Sequence, residues 1–300
     1  MKAGKRKRSG VIQKVTPFDI FLYILMGIFA IIMAFPFYYM IIVSFSDYQS
    51  LHSQTLYIWP TVLDTSAYKL VLENSQFWGS VLITIFITIA GTLLGVIFSI
   101  AAAYPLTKKY VPGSKALFNM MIFTMFFSGG MIPGYLVVQQ LGLGNSIWCM
   151  VWPSLLTPFY IILIKNFIEE LPASIEESAK IDGANDMVIL FRIILPMSKP
   201  IVATIALFFA VSKWNEYYSA MLNIIDKSKY PLQLLLRGIL LDTTNALTGT
   251  AATVASNNKQ IYSLSLQMAI VTIATLPILV VYPFVQKYFT KGIMLGGVKG

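Results

Sequence analysis

Apolar residues run in long blocks along this chain rather than alternating with polar ones. Six blocks, residues 20–43, 81–104, 117–141, 147–168, 201–225 and 266–286, approach or exceed the roughly 20 residues a helix needs to cross the hydrocarbon core of a bilayer. The pattern predicts an all-α membrane protein of six transmembrane helices. Only Gly142, Leu143, Gly144, Asn145 and Ser146 separate the third block from the fourth. That link predicts a tight hairpin with the two helices as antiparallel neighbours. Pro133, Pro153 and Pro158 lie inside this pair, where a missing backbone donor bends a helix and neighbouring groups must satisfy the freed carbonyl. Two polar segments interrupt the blocks. Residues 46–77 carry Trp59 and Pro60. Residues 226–265 hold an apolar stretch, 232–241, behind Tyr230 and Pro231. At that length it is too short to span, and a short interfacial or partner-facing helix is expected.

Basic residues give the orientation. With the N-terminus inside, the inner segments hold sixteen: Lys2, Lys5, Arg6, Lys7, Arg8 and Lys14, then Lys108, Lys109 and Lys115, then Lys165, Lys180, Arg192 and Lys199, and finally Lys287, Lys291 and Lys299. The outer segments hold five, namely Lys69, Lys227, Lys229, Arg237 and Lys259, while Lys213 falls within the fifth block. The bias predicts both termini in the cytoplasm. It also accounts for the net charge of +9 with no role for nucleic acid. The expected organisation is a basic cytoplasmic N-terminus (1–19), a six-helix membrane domain (20–286) and a cytoplasmic tail (287–300). Although the first eight residues resemble the start of a signal peptide, the apolar run behind them is about 25 residues long and lacks an Ala-x-Ala-like site, so a retained helix is expected.

Composition narrows the chemistry. Hydrophobic residues make up 57% and charged residues 12% of the chain, against about 25% charge in a soluble domain. One cysteine, Cys149, excludes a disulfide within the chain and reads as a small buried hydrophobe. The single histidine, His52, lies in an outer segment. There is no phosphate-binding G-x-x-x-x-G-K-[ST] sequence, no Cys/His cluster for a metal and no nucleophile–base pair. The chain is expected to be non-catalytic and to hold no cofactor of its own.

The most informative segment is the inner loop 169–200. Ser174-x-x-Glu177 after Pro172 reads as a capping box that opens a short helix. Gly183 breaks it, since glycine takes turn conformations other residues avoid. Asn185 caps a second helix and Pro196 is expected to end it. Ile175, Ala179, Met187, Ile189 and Phe191 offer apolar contact, and Glu176, Glu177, Asp182 and Asp186 offer negative charge. An amphipathic hairpin of this kind suits a groove on a soluble partner.

The order Glu177-Ser178-Ala179-x-x-Asp182-Gly183-Ala184, followed by Pro196 and Pro200, resembles the EAA loop of ABC-importer permeases, E-A-A-x-x-x-G-A, with Ser178 in place of the first alanine. Trp214-Asn215-Glu216-Tyr217 resembles the W-N-[ED]-[FY] element of sugar permeases. The ending Gly296-Gly297-Val298-Lys299-Gly300 resembles their G-[AG]-V-K-G terminus. The chain as a whole is similar to the MalG-type membrane subunit of carbohydrate ABC importers, within the branch that takes up complex oligosaccharides. That resemblance implies the ABC type I importer permease fold, with a cytoplasmic coupling helix between helices 4 and 5, in a bacterial plasma membrane. It implies as partners a second, different permease, two ABC ATPases that bind ATP and Mg, an extracellular solute-binding lipoprotein or periplasmic binding protein, and a sugar substrate. It carries ATPase coupling onto Glu177, Ser178, Ala179, Asp182, Gly183, Ala184 and Pro196. The tail around Gly297 then either reaches the ATPase interface or is a disordered end.

Polar residues inside the apolar blocks cost a few kcal/mol each unless paired or hydrated. Lys213 and Glu216 are three apart and share a helix face, which suggests mutual neutralisation. Two readings stand for this element: Trp214, Asn215, Glu216 and Tyr217 line the sugar path or its outer gate, or a structural ion pair packs against the partner permease. Asn119, Ser128, Tyr135 and Gln139 are further polar positions along the third block. Ser128-Gly129-Gly130 and Pro133-Gly134 either unwind that helix or allow close helix packing, and the packing reading is preferred. The alternatives in function are an ABC permease for a non-sugar solute and a self-sufficient secondary transporter. The second would normally show internal repeats and coupling carboxylates at the bilayer centre, of which Glu216 is the sole candidate.

Overall fold

A computed structural model describes residues 16–47, 59, 62–247 and 264–280. Among these residues the chain is helical, with one isolated β-bridge between Ser46 and Leu63. Helix α1, Pro17–Ser44, opens on a capping box: the Thr16 hydroxyl accepts from the Asp19 amide and the Asp19 carboxylate accepts from the Thr16 amide. Its 28 residues span about 42 Å. Only Ile42, Val43 and Ser44, at its far end, are buried, so nearly the whole apolar length is left for lipid or a partner chain.

Helix α2, Ser66–Glu73, meets α3, Ser75–Leu106, at Asn74, whose side chain caps α3 by accepting from the Gln76 amide. Helix α3 is the axis of the fold. It packs most extensively against α9, Lys199–Trp214, and then against α6, Pro158–Glu169. Gly91 and Gly95, one turn apart on α3, face Lys213 and Phe209, one turn apart on α9. A Cβ on Gly95 would lie 2.7 Å from the Phe209 ring, and one on Gly91 would lie 2.9 Å from the Lys213 stem. Small residues on one helix therefore receive large ones from the other, which brings the two backbones close. We expect Gly95→Ala to lower the thermal midpoint of the purified protein, since overpacking a rigid ring typically costs about 1–3 kcal/mol. An unchanged midpoint would mean that Phe209 turns aside freely.

Helices α1 and α3 are long and apolar enough to cross a bilayer, and two bent helix pairs would raise that number to four. Of the six spans expected from the sequence, the third, fourth and fifth blocks are not single continuous helices among the described residues. The third block breaks into α4, Ser114–Phe126, and α5, Met131–Gln140. Between them Phe127 is extended, Gly130 takes φ +89° and the Ser128 hydroxyl accepts from the Gly130 amide. This corrects the packing reading of these glycines. Added Cβ atoms on Gly130 and Gly134 would meet nothing, and one on Gly129 would meet only Pro133 at 3.7 Å, so none of them packs closely within this chain. Gly129 and Gly130 lie in the unwound link, while Gly134 lies inside α5.

The fourth block begins as two 3-10 turns, Ile147–Met150 and Trp152–Ser154, and becomes helical only at α6, with a 44° bend at the break. Pro153 and Pro158, each at the start of a turn or helix, supply no amide to continue the preceding ladder. Phe118 on α4 lies under the Lys165 ammonium of α6, 4.7 Å from ring centroid to Nζ, in keeping with the expected hairpin. The fifth block stops at Asn215, and α10, Tyr218–Asn223, is separate. Helix α11, Leu232–Leu247, extends beyond the short element expected there. Leu232 and Leu236 are buried in one cluster and Leu234, on the opposite side, in another, so the start of this helix is enclosed by the chain's own core. Helix α12 is described over Leu264–Val280. The basic N-terminal cluster, His52 and the 287–300 tail lie outside the described residues.

Lys213 also corrects its expected pairing. It is 1% exposed, and its Nζ donates to the Met150 carbonyl and the Ser154 hydroxyl. Glu216 instead accepts from the Ser219 amide at 2.9 Å and caps α10. The broken start of the fourth block leaves carbonyl oxygens without helical donors, and the ammonium supplies a donor to one of them.

Candidate functional site

The loop 169–200 folds as the sequence implies in outline, with two changes in detail. Helix α7, Ala173–Ile181, starts two residues early: Pro172, not Ser174, is its N-cap and makes no side-chain cap bond. Ser174 therefore sits inside the first turn and the expected capping box with Glu177 is not formed. Helix α8, Asp186–Met197, is capped by Asn185, whose side chain accepts from the Val188 amide at 2.9 Å. It winds into a π turn over Leu190–Ile194. Pro196 does not end it. The helix runs on to Met197, and the chain bends by 81° at Ser198 into α9. Proline takes a place in the last turn because the wider π ladder just before it has already shifted the donor register.

Between α7 and α8, Gly183 adopts φ +79°. Its amide donates to the Lys180 carbonyl and the Ala184 amide donates to the Ala179 carbonyl, both at 3.0 Å. These two bonds are a Schellman closure, and only a left-handed residue at position 183 completes it. Ala179 is buried against the core and Ala184 packs on the same cluster. With Ile189, Leu190 and Ile194 they seat the hairpin on Ala103, Tyr104, Ile168 and Ile205 of α3, α6 and α9. Glu177, Ser178, Asp182 and Gly183 are exposed. On the outer side Ile181, Met187 and Phe191 are 86%, 66% and 63% exposed. One face is thus keyed into the helical bundle and the other is bare and apolar.

An ionic staple holds the hairpin in place. Lys108, just beyond the end of α3 and 8% exposed, donates to both carboxylate oxygens of Glu176 at 2.5 and 2.6 Å. Lys180 lies 3.3 Å from Glu176 and 3.9 Å from Asp186. The Tyr110 hydroxyl donates to Asp186 at 2.6 Å. That hydrogen bond, with some burial and the charge of Asp186, pushes the Tyr110 hydroxyl up to about 12, so it remains a donor throughout the neutral range. Sequence reasoning counted Lys108 only as inner-loop charge and left Tyr110 out. The signal available was an opposite charge, Glu176 and Asp186, in the neighbouring inner loop.

The polar positions of the spans are not gathered into one site. Asn119 is exposed on α4. Gln139 on α5 donates to the Asn223 side chain at 3.4 Å. Trp214 packs partly buried against a cluster that includes Phe77 and Leu232. Asn215 and Tyr217 face a cleft of about 480 Å³ together with Gln233 and Arg237 of α11. A larger open cleft, about 790 Å³, is lined by Ser128, Gly130 and Gly134 of the broken third block and by Trp152.

Residues 95–295 match the family described as binding-protein-dependent transport system inner membrane component. The chain belongs to that family. It is a transport permease, a non-catalytic membrane subunit, and the matched region contains the whole hairpin. This permease is 43% identical over 284 residues to protein LplC of Bacillus subtilis (strain 168), covering 94% of this chain and 95% of the relative. It is 40% identical to the polygalacturonan/rhamnogalacturonan transport system permease protein YtcP of the same organism, covering 94% and 98%. Its fold is similar to a chain from the crystal structure of a bacterial ABC transporter involved in the import of the acidic polysaccharide alginate. The TM-score is 0.83 at 33% identity, covering 96% of this chain and all of that one. The expected resemblance to ABC importer permeases is thereby confirmed.

Proposed function

We propose that this permease forms one half of the translocation path of an ATP-driven, binding-protein-dependent importer of oligosaccharides. Its six apolar blocks, residues 20–286, cross the plasma membrane with both termini in the cytoplasm, and residues 287–300 form a cytoplasmic tail. A second, different permease completes the path. Two ABC ATPases bind ATP and Mg on the cytoplasmic side, and an external binding protein delivers the sugar. The observation that carries this reading is the α7–α8 hairpin. Its inner face is locked to α3, α6 and α9, while Ile181, Met187 and Phe191 stand bare beside Glu177 and Asp182. An apolar helix face that the chain leaves uncovered while fixing the helix rigidly is suited to pass a partner's motion into the bundle.

In this reading Glu177, Ser178, Ala179, Asp182, Gly183, Ala184 and Pro196 form the ATPase contact or its frame. Asn215, Tyr217, Gln139 and Asn119 are candidates for the path, with Trp214 and Glu216 shaping its wall. The sugar assignment is supported by YtcP, named for polygalacturonan and rhamnogalacturonan transport, and by the alginate importer that shares the fold. The test is co-purification from the native host after gentle solubilisation. An ABC ATPase and a second, distinct permease should accompany the tagged chain. Recovery of the chain by itself, even after crosslinking, would reject the importer and favour a self-contained carrier.

A further inference from the structure

We infer that the cleft between Tyr217 and α11 is a subsite for an acidic sugar, in which Arg237 reads the carboxylate of a uronate residue. This rests on the oligosaccharide reading above and goes beyond it by naming the charge of the substrate and the residue that recognises it.

The cleft has two unlike walls. On one side Gln233 and Arg237 are four apart on α11 and point the same way. Tyr217 and Asn215 stand beside them at the end of α9. On the other side α12 presents Val271, Ala274 and Ile278, together with Thr275, whose hydroxyl is turned back to the Val271 carbonyl. A pyranose has the same division, with hydroxyls around its edge and C–H groups on its faces. A volume of about 480 Å³ lies within the roughly 300–1,000 Å³ usual for small-ligand sites.

Among the described residues, the polar groups of the cleft keep bonding capacity for a ligand. Arg237 enters no salt bridge among the described residues. Its guanidinium lies over the Tyr217 ring, 5.2 Å from carbon to centroid. The planar N–H fork of a guanidinium matches a carboxylate in two parallel hydrogen bonds, and no acidic side chain among the described residues pairs with this one. Asn215 donates its amide N–H to the Val211 carbonyl at 2.8 Å, which leaves the side-chain oxygen to accept from a hydroxyl. Glu216, the nearest acid in sequence, is turned to the Ser219 amide and does not line the cleft. A neutral sugar would leave the cation unanswered; a uronate would answer it.

The experiment uses the complete importer in proteoliposomes with its own binding protein. Uptake of trigalacturonate is compared with uptake of its fully methyl-esterified form, which keeps the rings and removes the charge. Because both permease variants meet the same binding protein, a change in the preference between the two sugars reports the permease. We expect Arg237→Gln to lower kcat/KM for trigalacturonate about tenfold, as for the loss of one charged hydrogen-bonded contact. Uptake of the ester should change less than about twofold, and Arg237→Lys should retain part of the preference. Equal losses on both sugars would overturn the subsite while leaving oligosaccharide import intact. If the wild-type importer moves neither sugar, nor any neutral oligosaccharide, the functional reading itself falls and the subsite with it.

Discussion

Gly183→Val should abolish sugar-stimulated ATP hydrolysis by the assembled importer while leaving membrane insertion unchanged. Space is not the cause, since a Cβ at this position would meet nothing within 4 Å. The backbone is the cause. At φ +79° an L-residue is disfavoured by about 1–2 kcal/mol, and a β-branched residue is a worse fit still. The cheapest relief is to unwind the end of α7. That would release the Ala179 and Lys180 carbonyls from their closing bonds and turn Ile181 away from its position beside α8. Gly183→Asn is the control, because asparagine tolerates the left-handed region. It should keep most of the stimulation. Full stimulated turnover in the valine variant would sink the assignment of the hairpin to coupling.

Glu176→Lys should also uncouple the importer, through the staple rather than the turn. It would place a third ammonium between Lys108 and Lys180, where a carboxylate now holds both. Unpairing a buried ion pair costs about 3–5 kcal/mol, and the partial exposure of Glu176, at 22%, puts the expected loss at the lower end. The hairpin would lift from α3, and stimulated hydrolysis should fall at least about tenfold, the equivalent of 1.4 kcal/mol. Lys108→Glu should do the same. Combining the two exchanges should recover most of the loss, with a remainder because Lys180 then faces an ammonium. A double variant as impaired as the sum of its parts would mean that Lys108 and Glu176 do not act on each other.

The contrast between these two predictions shows where sequence reading reached its limit. Gly183 and Asn185 were legible because each acts on backbone groups within five residues of itself, and such bonds follow from residue type and spacing. Ser174 failed at the same range because Pro172 takes the capping position first, which moves Ser174 inward by two positions. The interruption of the third block was visible as glycines, yet whether glycines pack or unwind depends on what stands opposite them. For Gly91 and Gly95 it is Lys213 and Phe209; for Gly130 and Gly134 it is open space. Lys213 seemed matched to Glu216 by helical spacing. It went instead to a carbonyl and a hydroxyl some sixty positions away, because the proline-broken segment presented an unsatisfied acceptor there and α9 ended before a shared face could form.

The sequence by itself determined that this is a membrane protein, and its resemblance to the EAA loop pointed to a permease. Long apolar blocks have no other solvent, and Gly183 and Asn185, acting on backbone groups within a few residues, set the left-handed turn and the cap of the second helix. Tertiary structure decided which distant groups meet, whereas Lys180 and Glu176 pair within one helical turn. Lys108 and Glu176 are 68 positions apart, and Tyr217 meets Arg237 across two elements. A buried charge takes whichever partner the packed helices bring within reach, and that choice is made by the seating of α3 against α9, not by any residue's neighbours along the chain.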